Sequence, residues 1–363
     1  MNARSWDYVS RLAAAAFRDI DGIRRAQGRL LDLSGFGPQE TPSRIVHSEA
    51  GLNLRKYGQA PDGGPVVLIV PAPIKKSYIW DLAPQVSVVA RCLANGMQVY
   101  LAEWQTVTGT GRHFGLNDYA NRLLSACRQA IRSESGTAPV ILAGHSLGGV
   151  LAAIFACLYP ESVRALVLLE TPLHFAADAG SFAPLVAAIP DARPIGEAFG
   201  DVPGSFLNLV SATAAPHAFQ WEYYFDRYLS MASPGASDLH MRVERWTMDE
   251  FPLPGTLFSE IVELLYREDR FMNGSLAMGS RDIGPKDLHA PLLHVVDPRS
   301  TVIPTQSILP FHEAAASRTK KILWYQGDVG VGIQHVGVLV GANAHAAIWP
   351  AIFKWLANDA AAG

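Results

Sequence analysis

The stretch of this chain with the clearest chemistry is Gly144-His145-Ser146-Leu147-Gly148. Val140 to Ala143 before it are consecutive apolar residues, the pattern of a fully buried strand. Val150 to Tyr159 after it form an Ala- and Leu-rich run that predicts a buried helix, and Ala165 to Leu169 predict the next strand. A serine held between strand and helix, with glycine two positions to either side, has the makings of a nucleophile elbow. The glycines permit the sharp turn that lifts Oγ out of the backbone toward a base. The N–H of Leu147, at the helix start, then points at the oxyanion that develops when Ser146 attacks a carbonyl. The bland alternative is a glycine-rich turn, and the flanking elements over Ala138 to Glu170 argue against it.

A second oxyanion donor comes from the loop after an earlier strand in such an arrangement. Val66 to Val70 predict that strand, and Pro71-Ala72-Pro73-Ile74-Lys75-Lys76-Ser77-Tyr78 follows it. Pro71 and Pro73 have no N–H, so the donor is Ala72 or Ile74, with Ala72 the expected one. The acid and base follow the nucleophile in chain order. Asp297 comes directly after the predicted strand Leu292 to Val296, where an acid at a strand's carboxyl end belongs. Asp282 and Asp287 precede that strand and read as turn residues. Eleven histidines compete for the base. His145 adjoins the nucleophile and would point elsewhere, His289 and His294 precede Asp297, and His312 and His345 fall in helical stretches. His335 lies in a glycine-rich loop, Gly327 to Gly337, from which an exposed imidazole can reach Ser146; His345 is the alternative.

The elements that must position these groups alternate between strand and helix. Residues 1–44 read as a helical N-terminal extension, helical over 6–33, which covers the core or docks a partner. Ile45 to Tyr57 predict an antiparallel edge with a turn at Ala50-Gly51, and Pro61 to Gly64 another turn. Ser87 to Asn95 predict a helix ending at Gly96, Gln98 to Glu103 a strand, and Leu116 to Ile131 a helix. Ile322 to Tyr325 predict a last strand and His345 to Leu356 a last helix, with an Ala-rich, frayed tail after Asn358. This alternation implies an α/β fold, a mostly parallel sheet flanked by helices, over 45–174 and 288–363. Between them, residues 175–287 lose the alternation and are rich in Ala, Pro, Gly and aromatics, including Phe219, Trp221, Tyr223, Tyr224 and Phe225. They predict a mainly helical cap whose aromatics suit an apolar acyl chain.

Composition narrows the classes further. The 363 residues are 49% apolar, enough for a large buried core. A net charge of −3 gives no pull toward nucleic acid or membrane surfaces. Cys92, Cys127 and Cys157 have no metal-ligand spacing and read as reduced core residues of a cytoplasmic protein. No apolar run is long enough to span a bilayer, and the N-terminus lacks a secretory design. No metal or cofactor is expected.

Several segments also resemble a known family, the poly(3-hydroxyalkanoate) synthases, most closely the short two-component type. Pro71 to Leu82 (PAPIKKSYIWDL) is similar to their Pro-Pro-x-Ile-Asn-Lys-x-Tyr-Ile-x-Asp-Leu loop, and Val99 to Trp104 to their strand ending in Ser-Trp. Arg245-Trp246-Thr247-Met248-Asp249 and Tyr266 to Gly274 resemble their cap segments; His335-Val336-Gly337-Val338 and Trp349-Pro350-Ala351-Ile352 resemble their ending. The resemblance runs from about Ile45 to Leu356. It implies an α/β-hydrolase core with a cap and a catalytic Cys, Asp and His, carried over to Ser146, Asp297 and His335. Ile74, Tyr78, Trp221 and Trp246 are candidate substrate contacts. The chain departs from the family in placing Ser146 where a cysteine stands, Lys75 for an asparagine, a longer stretch from Asp297 to Pro304, and Gln334 before the histidine.

These observations lead to a serine hydrolase or acyltransferase acting on 3-hydroxyacyl or related esters, oligoesters or thioesters, with acyl-CoA as one substrate. A serine ester is less activated than a thioester, which favours water as the final acceptor. The alternatives are a polymer synthase elongating its chain on serine and a non-catalytic synthase-like subunit. The chain could act as a homodimer or with a synthase-like partner subunit.

Overall fold

The computed structural model describes residues 3–58, 63–107, 113–136, 139–176, 179–358 and 360. Pro61, Asp62, Ala138 and nearly all of the tail after Asn358 lie outside the described residues. A long helix, α1 (Ala3–Leu33), opens the chain. The antiparallel edge follows as β1 (Ser43–Glu49) and β2 (Leu52–Tyr57), joined at Gly51, whose φ of 87° suits glycine. Next come β3 (Val66–Val70), α2 (Val88–Ala94) and β4 (Gln98–Trp104). Ser87 caps α2 by accepting the Ala90 N–H at 2.8 Å. A π-helical turn over Asp118–Leu123 leads into α3 (Leu124–Ser135). Then β5 (Val140–His145), α4 (Leu147–Leu158) and β6 (Val163–Leu169) build the elbow region.

The segment after β6 holds short helices: α5 (Ala183–Ala188), α6 (Arg193–Phe199), α7 (Gly204–Ala214), α8 (Tyr223–Ser230), α9 (Pro234–Thr247) and α10 (Gly255–Glu260). Two small antiparallel ladders accompany them, β7 (Asp201–Val202) with β8 (Leu253–Pro254), and β9 (Leu276–Met278) with β10 (Arg281–Ile283). The chain then returns to the sheet as β11 (Leu292–Val296), α11 (Leu309–Ala314), β12 (Lys320–Trp324), α12 (Gln334–Val340) and α13 (Trp349–Asn358).

Eight strands form one sheet in the order β1-β2-β4-β3-β5-β6-β11-β12, parallel from β4 to β12. The central strands are apolar on both faces (β3 is Val-Val-Leu-Ile-Val, wholly buried) because helices cover both sides. β3 neighbours both β4 and β5, so the strand order reverses there, and the carboxyl ends of β3 and β5 open a crevice in which Pro71 and Ser146 lie. Cys92, Cys127 and Cys157 are free and buried in the two layers around the sheet.

The helix α1 does not lie on the sheet. It packs on α6, α7 and α9, where Asp32 takes a two-pronged contact from Arg245 (2.6 and 2.9 Å) and Asp21 accepts the Ser205 N–H at 2.8 Å. No single described helix is long and apolar enough to cross a membrane.

Candidate active site

Ser146 directly follows β5 with φ = 54°, a left-handed conformation that a serine adopts only where the surrounding structure enforces it. The enforcement comes from close backbone packing that glycine alone allows. A Cβ on Gly148 would lie 2.1 Å from the Val70 carbonyl oxygen, and one on Gly144 would lie 2.5 Å from the Gly149 Cα. The first turn of α4 is thereby pressed against the end of β3. Gly149 and Val150 donate to the Ser146 carbonyl (2.9 and 3.2 Å), so the N–H groups of Leu147 and Gly148 stand at the helix start, ahead of its first intrahelical bonds. Ala72 follows Pro71 at the end of β3, half-buried, and Trp104 Nε1 donates to the Pro71 carbonyl at 2.7 Å to hold that loop.

Ser146, Leu147 and His335 share the wall of an apolar cavity of about 470 Å³. Ile74 lines it from the core side, and Phe182, Phe206, Phe219, Phe258 and Tyr266 line it from the segment between β6 and β11. A carbonyl bound there sits in a low-dielectric pocket, where backbone N–H groups stabilise developing charge strongly. The cavity's size and apolar wall suit a short acyl chain.

His335 is not in the glycine-rich loop that its neighbours suggest; it is the second residue of α12, with the imidazole largely buried. Burial lowers its pKa to about 4, so the ring is a neutral base at physiological pH. His145, expected to point away, contacts it closely: His145 Nε2 is 2.8 Å from the His335 carbonyl oxygen and the ring centres lie 4.4 Å apart, tilted by 38°. Burial first, and then His335, push the His145 ring well below its ordinary pKa. His345 is occupied elsewhere, with Arg91 Nε on its Nδ1 and the Leu339 carbonyl 2.8 Å from its Nε2.

Asp297 stands directly after β11 as expected, but its carboxylate turns to Arg299. It accepts the Arg299 backbone N–H at 2.9 Å and the guanidinium at 3.3 and 3.4 Å. It lines a separate, more polar cavity of about 390 Å³ that meets the first at His335. The carboxylate facing His335 belongs to Glu170, which has Oε2 3.8 Å from Nδ1. Sequence reasoning missed Glu170 in this role.

Of the expected substrate contacts, Ile74 alone lines the apolar cavity. Tyr78 donates to Asp249 at 2.7 Å and Trp246 Nε1 to the Lys76 carbonyl at 2.7 Å; both fasten the loop after β3 to α9 and the turn that follows. Trp221 is 73% exposed, because its stretch of chain turns Phe219 rather than Trp221 inward. No cluster of His, Cys, Asp and Glu able to hold a metal occurs among the described residues.

Residues 65–228 match the α/β hydrolase fold family. The chain is 26% identical over 374 residues to the poly(3-hydroxyalkanoate) polymerase subunit PhaC of Haloferax mediterranei, covering all of this chain and 72% of that one. It is 27% identical over 331 residues to the subunit of the same name from Allochromatium vinosum, covering 90% and 91%. The chain is an α/β-hydrolase of the poly(3-hydroxyalkanoate) synthase family. The monoacylglycerol lipase of Paleococcus ferrophilus has the same fold, at a TM-score of 0.53 and 18% identity over 84% of this chain and 98% of that one. As a member of this family the protein is an enzyme of the acyltransferase or hydrolase type.

Proposed function

We propose that this synthase-family chain transfers 3-hydroxyacyl groups from a CoA thioester through a Ser146 acyl-enzyme. The observation that carries the reading is Ser146 at its strained elbow, sharing an apolar cavity with a neutral, buried His335. Ser146 Oγ attacks the thioester carbonyl as His335 Nε2 takes its proton. The N–H groups of Leu147 and Ala72 receive the oxyanion. Collapse expels the CoA thiolate, which leaves with the proton from His335. A carboxylate beyond the imidazole orients the ring. Residues 175–287 serve as a cap over the acyl chain, and residues 45–174 and 288–363 as the core.

The second step decides the product. Attack by the hydroxyl of another 3-hydroxyacyl unit lengthens an oligoester, as the relatives' name of polymerase supports; attack by water releases a free acid. The relatives favour polymerisation, and the serine in place of the family's cysteine favours hydrolysis. Incubation with 3-hydroxybutyryl-CoA, following free thiol, free acid and insoluble polymer, separates the two. Polymer with thiol release supports the synthase, and free acid alone supports the hydrolase. Thiol release unchanged in Ser146→Ala removes the proposal. Pairing with a second copy or a partner subunit belongs to the same proposal, tested by the size of the purified protein in solution.

A further inference from the structure

Two buried atoms face each other in this site, Glu170 Oε2 and His335 Nδ1, 3.8 Å apart, and neither has a hydrogen-bond partner among the described residues. Glu170 directly follows β6, the strand between β5, which carries Ser146, and β11, which carries Asp297. Its φ of 44° is in the left-handed region, which costs energy in a residue with a β-carbon and turns the side chain out of the strand's alternation. Its backbone N–H is tied to the Val295 carbonyl at 3.0 Å. Its Oε1 accepts the Asp297 backbone N–H at 2.5 Å, which fixes the carboxyl plane and aims Oε2 at the imidazole. The side chain is wholly buried, and a buried carboxyl with an unpaired oxygen is costly unless its environment uses it.

We infer that Glu170 is the positioning residue for His335, and that Asp297 contributes its backbone N–H as the anchor while its carboxylate serves Arg299. The inference rests on the reading of Ser146 and His335 as nucleophile and base. In the productive state Nδ1–H donates to the Glu170 carboxylate, so Nε2 is left bare to accept the Ser146 proton; no proton passes to Glu170 itself. The 3.8 Å separation is about 1 Å longer than such a bond, and catalytic hydrogen bonds commonly tighten only when substrate is bound. Asp297 makes no ion pair with His335 among the described residues, and its oxygens already accept three contacts from Arg299.

The ionisation of Glu170 supports the same arrangement. Burial raises its carboxyl to about 8, opposed by the Asp297 N–H and the Ser300 hydroxyl and reinforced by the Asp297 charge. The groups facing it are Asp297 and Ser300 after β11, with Arg299 on Asp297; His335 on α12, with His145 against it; and Tyr325 after β12. Burial, with a smaller contribution from the Asp297 charge, therefore holds Glu170 in the acid form at low pH, and Glu170 becomes the acceptor that His335 needs as pH rises.

The test is the rate at which a fluorophosphonate probe labels Ser146 in the full chain, which requires no knowledge of the natural substrate. Glu170→Gln should slow labelling by about 10²- to 10⁴-fold, with Asp297→Asn within about tenfold of wild type. The wild-type rate should climb through pH of about 8, and this limb should vanish in Glu170→Gln. A loss in Asp297→Asn equal to or greater than that in Glu170→Gln overturns the inference. Should Glu170→Gln not fold, proton NMR decides: on the alkaline side of that ionisation a far-downfield imidazole N–H signal should appear in wild type and persist in Asp297→Asn. Its disappearance in Asp297→Asn overturns the inference. Controls separate this from the underlying reading, for labelling that persists in Ser146→Ala or is unchanged in His335→Ala refutes the nucleophile or base whatever Glu170 does.

Discussion

The carboxylate of Asp226 on α8 accepts the backbone N–H of Gly330 at 2.8 Å, and its second oxygen takes the Gly332 N–H at the same distance. His240 Nδ1 lies 3.0 Å from that second oxygen, so a buried side chain in the segment after β6 clamps the loop that delivers His335. Asp226→Ala strands two buried N–H groups, each costing about 1–3 kcal/mol. Thermal unfolding should shift down by several degrees, and probe labelling of Ser146 should slow. Unchanged labelling would show that the clamp does not hold the base.

The loop after β3 is tied to the same segment. Lys75 Nζ, largely buried, donates to Glu250 Oε2 at 2.9 Å and to the Thr247 carbonyl at 2.7 Å. Arg24 of α1 and Asn208 of α7 donate to the other oxygen of Glu250. Burial pulls the Lys75 pKa down, and Glu250 opposes that pull. Glu250→Ala should destabilise by about 3–5 kcal/mol because it leaves a buried ammonium unpaired. Lys75→Met with Glu250→Gln should recover much of that loss, as read by urea denaturation.

Gly148→Ala should cost most of the activity. Its methyl would meet the Val70 and Pro71 carbonyls at 2.1 and 2.7 Å, and backbone atoms cannot yield as a flexible side chain would. The elbow and the loop after β3 must separate, parting the two oxyanion donors. Loss of one donor is worth about 10²–10³ in kcat. Wild-type labelling in this variant would refute that account.

Ser146→Cys tests which acceptor finishes the reaction. A thiolate activated by His335 acylates readily and yields a thioester, so intact-mass spectrometry should show acyl-enzyme accumulating from 3-hydroxybutyryl-CoA. Steady-state ester hydrolysis should fall below wild type.

The sign of the stability change with pH is fixed by the buried groups. His335 is lowered to about 4, so the unfolded chain binds the extra proton between that value and the ordinary imidazole range, and stability falls as pH drops through that window. Glu170 is raised to about 8, so the folded chain holds the extra proton, and stability falls as pH rises from the ordinary carboxylate range to 8. Between pH of about 6.5 and 8 the unfolded histidine is still completing its titration, but it does so alike in wild type and Glu170→Gln and cancels between them. There wild type should lose about 1.4 kcal/mol per pH unit relative to Glu170→Gln, measured by chemical denaturation. Parallel curves for the two proteins would place Glu170 in a solvated setting.

The elbow at Ser146 was legible because such a turn writes its backbone demands into neighbouring residues: Gly144 and Gly148 are where contacts under 3 Å exclude a side chain. The strands were legible because continuous apolar runs such as Val66–Val70 permit little else. Glu170 left no such trace. A single glutamate after Leu168-Leu169 reads as the end of a strand, and its role arises from β6 lying beside β11, a pairing across more than a hundred residues. The position of His335 beside Ser146 was legible, but its start-of-helix geometry was hidden by the glycines before it, which serve the Asp226 clamp instead. Trp246 and Tyr78 looked like substrate contacts because aromatics near a site are read as lining; their polar tips belong to neighbouring backbone and carboxylate.

The three cysteines carry a practical consequence. All are buried, and burial pushes the Cys92 thiol up to about 12 and those of Cys127 and Cys157 upward as well. Peroxide and iodoacetamide react with thiolates, and at neutral pH these three side chains present almost none. On the proposed role of Ser146, an alcohol, as nucleophile, the enzyme should keep its chemistry under oxidative conditions that would silence a protein working through sulfur.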